Sequence, residues 1–319
     1  MQTFTTWAGA PHGERAAVAA IGNFDGVHLG HRAVIEAARA EAERHGVPLG
    51  VLTFEPHPRE YFTPDAAPFR LMNAEARANR LAKLGIDHLY VLPFDAKLAG
   101  LTPEAFAREV LHEGLGLSHV MVGRDFCFGK GRTGNVADLK RFGDDLGFRV
   151  TSVDLLANDG VEVSSTAIRG ALTDGRPGDA ARMLGHWHRI EGEVLHGDAR
   201  GRALGYPTAN MSTHGLHRPR FGVYAVKVDV LSGPHAGSYD AAASIGVRPM
   251  FGENVPNCET YLFDFEGDLY GTHLSVALVE FLRDELRFDS LNALVDQMDR
   301  DCARAREILA QEPPIPWRP

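Results

Sequence analysis

His28 and His31 stand three residues apart in the string Gly22-Asn23-Phe24-Asp25-Gly26-Val27-His28-Leu29-Gly30-His31. At that spacing, one before and one inside the first turn of a helix, two imidazoles can face the same bound group. As neutral donors beside the positive end of a helix dipole, they suit the charge that develops on a phosphate under attack. Four further stretches could do chemistry. Thr53-Phe54-Glu55-Pro56-His57-Pro58 presents His57 between two prolines, so the ring has little entropy left to lose. In Gly123-Arg124-Asp125-Phe126-Cys127-Phe128-Gly129-Lys130-Gly131-Arg132, rings alternate with cations, a pairing suited to a flat ring system that carries phosphate. Ser164-Ser165-Thr166 puts three hydroxyls at a helix start with Arg169 one turn on, which can cap the helix or donate to an oxyanion. In Gly205-Tyr206-Pro207-Thr208-Ala209-Asn210, Pro207 fixes the chain so that Thr208 and Asn210 point the same way on an extended segment. Their oxygens suit Mg²⁺, which needs few protein ligands when a nucleotide supplies the rest. Each stretch also has a bland reading: a tight βα turn, a rigid loop, core phenylalanines beside a solvated basic run, a plain N-cap, a polar turn.

The elements that must hold these groups follow from periodicity. Ala16–Ile21 is a buried apolar run, the glycine-rich turn follows it, and a helix starting near Leu29 continues to His45. Gly22, Gly26 and Gly30 are expected to let the turn approach a ligand closely and take positive φ where needed. From 47 to 155, strand and helix patterns alternate: strands at Val47–Phe54, Ile86–Leu92, His119–Val122 and Phe148–Val153, a helix capped by Asn73, and another opened by Thr102-Pro103. With the first strand that makes five, the pattern of an α/β doubly wound sheet, whose ligands bind beyond the carboxyl ends of the strands. After a short helix over 177–185 the texture changes to successive strand patterns broken by Gly and Pro. Ile190–Leu195, Gly222–Val230, Ala241–Ile245, Cys258–Phe265 and Leu274–Leu282 read as an antiparallel β-barrel, closed by a C-terminal helix whose apolar stripe, Leu291, Leu294, Val295, Met298, Ile308 and Leu309, is expected to be core. Two domains are thus expected, residues 1–185 and 186–319.

Composition narrows the function classes. The 319 residues are 44% apolar and 24% charged, ordinary for a globular protein. A net charge of −9 argues against a nucleic-acid surface. No apolar run approaches the ~20 residues that span a bilayer, and residues 1–20 lack the order of a signal peptide, so a cytoplasmic protein without a membrane partner is expected. Cys127, Cys258 and Cys302 are widely spaced and outside any metal-ligand pattern, so free thiols are expected.

Taken together, the first string resembles the nucleotidyltransferase superfamily, in the longer version carried by the bacterial bifunctional riboflavin kinase/FMN adenylyltransferase (FAD synthetase) family. Thr-Phe-x-Pro-His-Pro, Gly-x-Asp-Phe-x-Phe-Gly and Ser-Ser-Thr-x-x-Arg are similar to further segments of that family. So is Gly201-Arg202-Ala203-Leu204-Gly205-Tyr206-Pro207-Thr208-Ala209-Asn210, close to the riboflavin kinase signature, and the likeness spans nearly the whole chain. The resemblance implies riboflavin, FMN and ATP as substrates, with FMN and FAD as products and Mg²⁺ as cofactor. In the first half it implies catalysis by His28 and His31, ATP binding by Gly22, Phe24, Asp25, Gly30, Ser164, Ser165, Thr166 and Arg169, one triphosphate touching both signatures, and flavin binding by His57, Asp125, Phe126 and Phe128. In the second half it implies ATP binding by Gly201, Arg202, Pro207, Thr208 and Asn210, with metal at Thr208 and Asn210. Glu259, after Gly246-Val247-Arg248-Pro249 and at the expected start of a strand, would be the base, and Arg283 would lie in a flap over the flavin. Cys127 and Met250 depart from the usual arginine and threonine.

Two other readings compete: a single-activity nucleotidyltransferase for another phosphorylated cosubstrate with a C-terminal flavin-binding module, and a flavin sensor that has lost its chemistry. The intact Pro-Thr-Ala-Asn with a downstream glutamate speaks against the first, the intact histidine pair against the second. Self-association is left open by the sequence.

Overall fold

The wholly apolar runs of the first half become strands buried on both faces, as a parallel sheet between helices requires. The computed structural model describes residues 1–7, 16–154, 157–158, 161–196, 205–250 and 253–311. By packing, the chain divides into two units, residues 1–67 with 77–163, and residues 68–76 with 164–319.

The first unit is a six-stranded parallel sheet in the order β1-β4-β3-β2-β5-β6: β1 (Gln2–Phe4), β2 (Val18–Ile21), β3 (Leu49–Glu55), β4 (His88–Pro93), β5 (His119–Gly123) and β6 (Arg149–Val153). Five of these are the strands that the sequence announces. The sixth, β1, is three residues long at the sheet edge, too short to show a period. The helices are α1 (Leu29–His45), α2 (Pro58–Phe62), α3 (Ala74–Lys83), α4 (Ala96–Gly100), α5 (Pro103–Ala105), which runs on as a wider π-helical stretch over Phe106–Gly114, and α6 (Val136–Leu146). One core layer joins Phe106, Val110, Leu111, Leu139 and Phe142 to Ile21, Leu52 and Val120 of the sheet. Val34, Ile35 and Ala38 are the buried stripe of α1. Successive strands run from β2 to one side through β3 and β4, then β5 and β6 follow on the other side, so the strand order reverses between β2 and β5. A crevice at that switch point is where such sheets take ligands.

Two short strands, β7 (Ala157–Asn158) and β8 (Val161–Glu162), pair before the second unit begins. That unit carries α7 (Ser165–Thr173), α8 (Pro177–Leu184) and a six-stranded antiparallel sheet in the order β10-β13-β12-β11-β14-β9. Its strands are β9 (Arg189–Glu193), β10 (Ala209–Ser212), β11 (Gly222–Val230), β12 (Gly237–Met250), β13 (Glu253–Leu262) and β14 (His273–Arg283). A bridge between Leu195 and Asn210 draws the two sheet edges together into a nearly closed barrel around Ile190, Tyr224, Val226, Ile245 and Leu278. α9 (Leu291–Ala310), capped by Ser290, packs Ala305, Ile308 and Leu309 on Ala225, Ala242, Phe263 and Val279 outside the barrel. The expected stripe is therefore core only in its last turns. Leu291 is 66% exposed, and Leu294, Val295 and Met298 are half-buried; midway along the helix Asp301, itself bonded by Gln297 of the same helix, accepts from Arg283 at the end of β14.

Candidate active sites

In the first unit, the turn after β2 is strained where the sequence does not suggest it. Gly26 has φ of 88°, but the other two left-handed residues are Phe24 at 50° and Val27 at 42°, not Gly22 or Gly30. Positive φ in a β-branched valine is a rare conformation that persists only when its surroundings hold it. Phe24, Asp25 and Val27 are all buried. The turn delivers His28 to the N-cap of α1, where Nδ1 accepts the His31 backbone N–H at 3.3 Å. A neutral His28 must then carry its proton on Nε2. The His28 and His31 rings stack at 3.7 Å with 15° between planes. Burial, and secondarily His28, hold the His31 pKa well below its usual value, so His31 is neutral at pH 7. Its Nδ1 is buried with no hydrogen-bond partner among the described residues.

His57 repeats the device at the end of β3. It caps α2, Nδ1 accepting from Arg59 N at 3.0 Å while Glu60 takes the His57 N–H at 3.0 Å, so a neutral ring carries its proton on Nε2. The stiff Pro-His-Pro loop of the sequence is thus the start of a short capped helix. Beyond β5, Asp125 is exposed and Arg124 pairs with Asp154 at 2.5 Å. Phe126 is partly buried and stacks at 5.6 Å on Phe128, which is a core ring touching Phe106 and bridged to Gly134 through its backbone. Of the two rings, Phe126 is the one with surface to offer. Cys127 is an exposed free thiol, and Cys258 and Cys302 are free as well.

The hydroxyl signature belongs by packing to the second unit. Ser164 caps α7 by accepting Ala167 N at 3.2 Å, and Thr166 is exposed. Arg169 donates from Nε to the Phe69 carbonyl at 2.6 Å and lies 5.3 Å over the Phe69 ring.

In the barrel, register makes the site. Asn210 on β10 stands directly across from Glu259 on β13, and Glu259 across from Ser244 on β12. Glu259 is therefore mid-strand and flanked on both sides, not at a strand start, because Glu253–Asn257 continues the pairing with Gly246–Met250. Alternation puts Asn257 on the same face, two residues before Glu259. Its amide donates to Glu259 Oε1 at 3.1 Å and to Asn210 Oδ1 at 3.5 Å, and Asn257 is only 5% exposed. Thr208, one step outside β10, lines a cavity of about 340 Å³ with Pro207, Phe265, Asp268, Leu269 and Tyr270. Tyr206 hydrogen-bonds Asp299 of α9. Gly201 and Arg202 lie outside the described residues. Arg283, at the end of β14, grips Asp301 through Nε at 3.0 Å and Nη2 at 2.6 Å, and donates from Nη1 to the Asp284 carbonyl at 2.8 Å.

Among the described residues, no cluster of three or more His, Cys, Asp or Glu could hold a metal. Thr208 lines the open cavity, whereas Asn210 does not and its Oδ1 accepts from the Asn257 amide; hard oxygens are the donor type that Mg²⁺ takes when phosphates complete its shell. Sequence reasoning missed Asn257, although i and i+2 on a strand is a readable signal. It also missed Arg77, which on an amphipathic helix reads as a surface cation yet is buried against Asn23 and Glu55.

The family model described as FAD synthetase matches residues 10–167, and that described as riboflavin kinase matches 184–309. A bifunctional riboflavin kinase/FMN adenylyltransferase of Pseudomonas fluorescens is 42% identical over 297 residues, covering 93% of this chain and 94% of that protein. Proteins of the same description from Escherichia coli K12 and Bacillus subtilis are 39% and 37% identical, covering 94% and 89% of this chain and 95% and 90% of theirs. The crystal structure of a macrolide-efflux protein from Streptococcus pneumoniae is similar with a TM-score of 0.81 at 31% identity, over 96% of this chain and 98% of that one. No helix among the described residues is long and apolar enough to cross a membrane.

Proposed function

Because the chain belongs to the bifunctional riboflavin kinase/FMN adenylyltransferase family, we propose that it phosphorylates riboflavin to FMN and adenylylates FMN to FAD, with residues 186–319 performing the first reaction and residues 1–185 the second. The observation that carries this division is that His28 and Glu259 fall in different packed units, each amid its own polar cluster. A single-activity nucleotidyltransferase is not favoured, since a riboflavin kinase model spans 184–309.

In the kinase half, Glu259 accepts the proton of the riboflavin 5′-hydroxyl as that oxygen attacks the γ-phosphorus of ATP and ADP leaves. Its place between two strands holds the carboxylate still, and such general-base help typically contributes ~10²–10⁴ in rate. Asn257 aims that carboxylate. Thr208 and Asn210 would hold Mg²⁺, which neutralises phosphate charge when bound. Gly201, Arg202 and Pro207 complete the ATP site, and Arg283 borders the flavin with its guanidinium already set by Asp301.

In the adenylyltransferase half, a phosphate oxygen of FMN attacks the α-phosphorus of ATP and pyrophosphate leaves in line. No covalent enzyme intermediate is needed, because positioning and charge stabilisation carry such transfers. His28 Nε2–H and the neutral His31 donate to the developing charge. We assign ATP binding to Gly22, Phe24, Asp25, Gly30, Ser164, Ser165, Thr166 and Arg169. His57, Asp125 and Phe126 take the flavin, with Phe128 as the backing ring. We assign both reactions to the cytosol. Incubating the purified protein with riboflavin, ATP and Mg²⁺ and separating products by chromatography should show FMN rising first and FAD after it. FAD formed only from supplied FMN, with riboflavin untouched, would leave the kinase assignment without support.

A further inference from the structure

We propose that Arg77 is a positioning residue for adenylyl transfer, a buried fork that locks the turn carrying His28 to the segment carrying His57. This rests on the roles just assigned to those two histidines. Arg77 projects from α3, and its side chain is 3% exposed. Nη1 donates to the Asn23 carbonyl at 3.3 Å, and Nη2 donates to Glu55 Oε2 at 2.8 Å. The Thr53 hydroxyl donates to that same Asn23 carbonyl at 3.1 Å.

Asn23 and Glu55 sit at the carboxyl ends of β2 and β3, which are neighbours in the parallel sheet with Ile21 beside Leu52. The strand ladder fixes the chain up to those ends, the Thr53 hydroxyl ties the Asn23 carbonyl to β3, and Arg77 extends that tie from Asn23 to Glu55. Asn23 immediately precedes the left-handed Phe24, Gly26 and Val27, whose conformation must be held from outside. Glu55 lies two residues before His57, at the other end of the fork. A guanidinium has a planar, rigid set of donors, so two acceptors bound to it keep a fixed separation, which an ammonium on a flexible stem does not enforce. The distance at stake is the one between the imidazole that faces ATP phosphate and the imidazole on the flavin side. A misplacement of about 1 Å between reacting groups costs on the order of 10² in rate.

A merely structural ion pair would change stability and leave turnover of the folded enzyme alone. The test uses the full chain, because riboflavin phosphorylation in the same molecule counts the folded protein. Arg77→Met, Arg77→Lys, Glu55→Ala and the double variant Arg77→Met/Glu55→Ala are assayed for FMN to FAD and for riboflavin to FMN, with His28→Ala alongside. The expected result for Arg77→Met is a fall in kcat for FAD formation of roughly 10–10²-fold. KM for ATP and FMN should change less than about threefold, since each loop keeps its own contacts, and kinase turnover should be unaltered. Arg77→Lys should recover part of the loss, Glu55→Ala should reproduce it, and the double variant should be no worse than the poorer single one. The proposal is overturned if Arg77→Met retains kcat within twofold while His28→Ala is inactive, or if the losses at 77 and 55 multiply. If Arg77→Met fails to fold, Glu55→Ala and Arg77→Lys decide by the same kcat criterion. FAD synthesis surviving in His28→Ala would instead overturn the assignment of the histidine pair.

Discussion

Replacing His28 by alanine removes three things at once, and the structure separates them. The first is the N-cap of α1, where Nδ1 accepts His31 N at 3.3 Å; such a cap is worth roughly 1 kcal/mol. The second is the ring stacked at 3.7 Å on His31, whose loss leaves a void beside a half-buried imidazole. The third is the Nε2–H assigned to a phosphate oxygen, and losing one well-aimed donor costs roughly 10²–10³ in turnover, about 3–4 kcal/mol of barrier. Chromatography of riboflavin, ATP and Mg²⁺ mixtures should therefore show His28→Ala halting at FMN, with FMN formed within twofold of the normal rate. Its melting temperature should fall by a few degrees. His28→Asn isolates the chemistry, because asparagine is among the best N-caps yet its amide is shorter than the imidazole. It should restore the melting temperature and leave FAD formation depressed. Near-normal FAD synthesis in His28→Asn would show that the imidazole is only a cap, and loss of FMN formation in His28→Ala as severe as loss of FAD would show that the two halves are not divided as assigned.

Other perturbations discriminate further. Glu259→Gln should lower riboflavin phosphorylation by about 10²–10⁴ and still convert supplied FMN to FAD; equal loss of both products would remove the carboxylate from its role. Asn257→Leu keeps the shape and removes the amide that donates to Glu259 and Asn210, so kinase kcat should drop about tenfold, the worth of a hydrogen bond to a charged group. An unchanged kcat would make Asn257 a packing residue. Burial, and secondarily His217, push the His188 pKa down to about 3. The unfolded chain takes up a proton below about pH 6.5 that native His188 refuses, so stability is full above that pH and falls by about 1.4 kcal/mol per unit as pH drops toward 3. Urea midpoints measured between pH 7 and 4 should show this slope flattened in His188→Gln, and an identical slope would refute the assignment.

Much of this protein is local and therefore legible in the sequence. The strand, glycine turn and helix around His28 and the change of texture after 185 rest on periodicity and spacing that neighbouring residues alone decide. What the sequence could not give is the register between distant strands and the fate of each polar side chain. Asn210 faces Glu259 because β10 pairs with β13 across some fifty residues, and only that pairing brings the Asn257 amide onto both. Gly22 and Gly30 looked like the yielding points of the turn, but the sheet and helix ends that clamp it force Phe24 and Val27 into left-handed backbone instead. The α9 stripe shows the same limit, since a helix announces its apolar face but not how much of its length the barrel can cover. Arg77 is the plainest instance: nothing local marks it, and its burial is decided by where two loops end after the strands beneath them have paired.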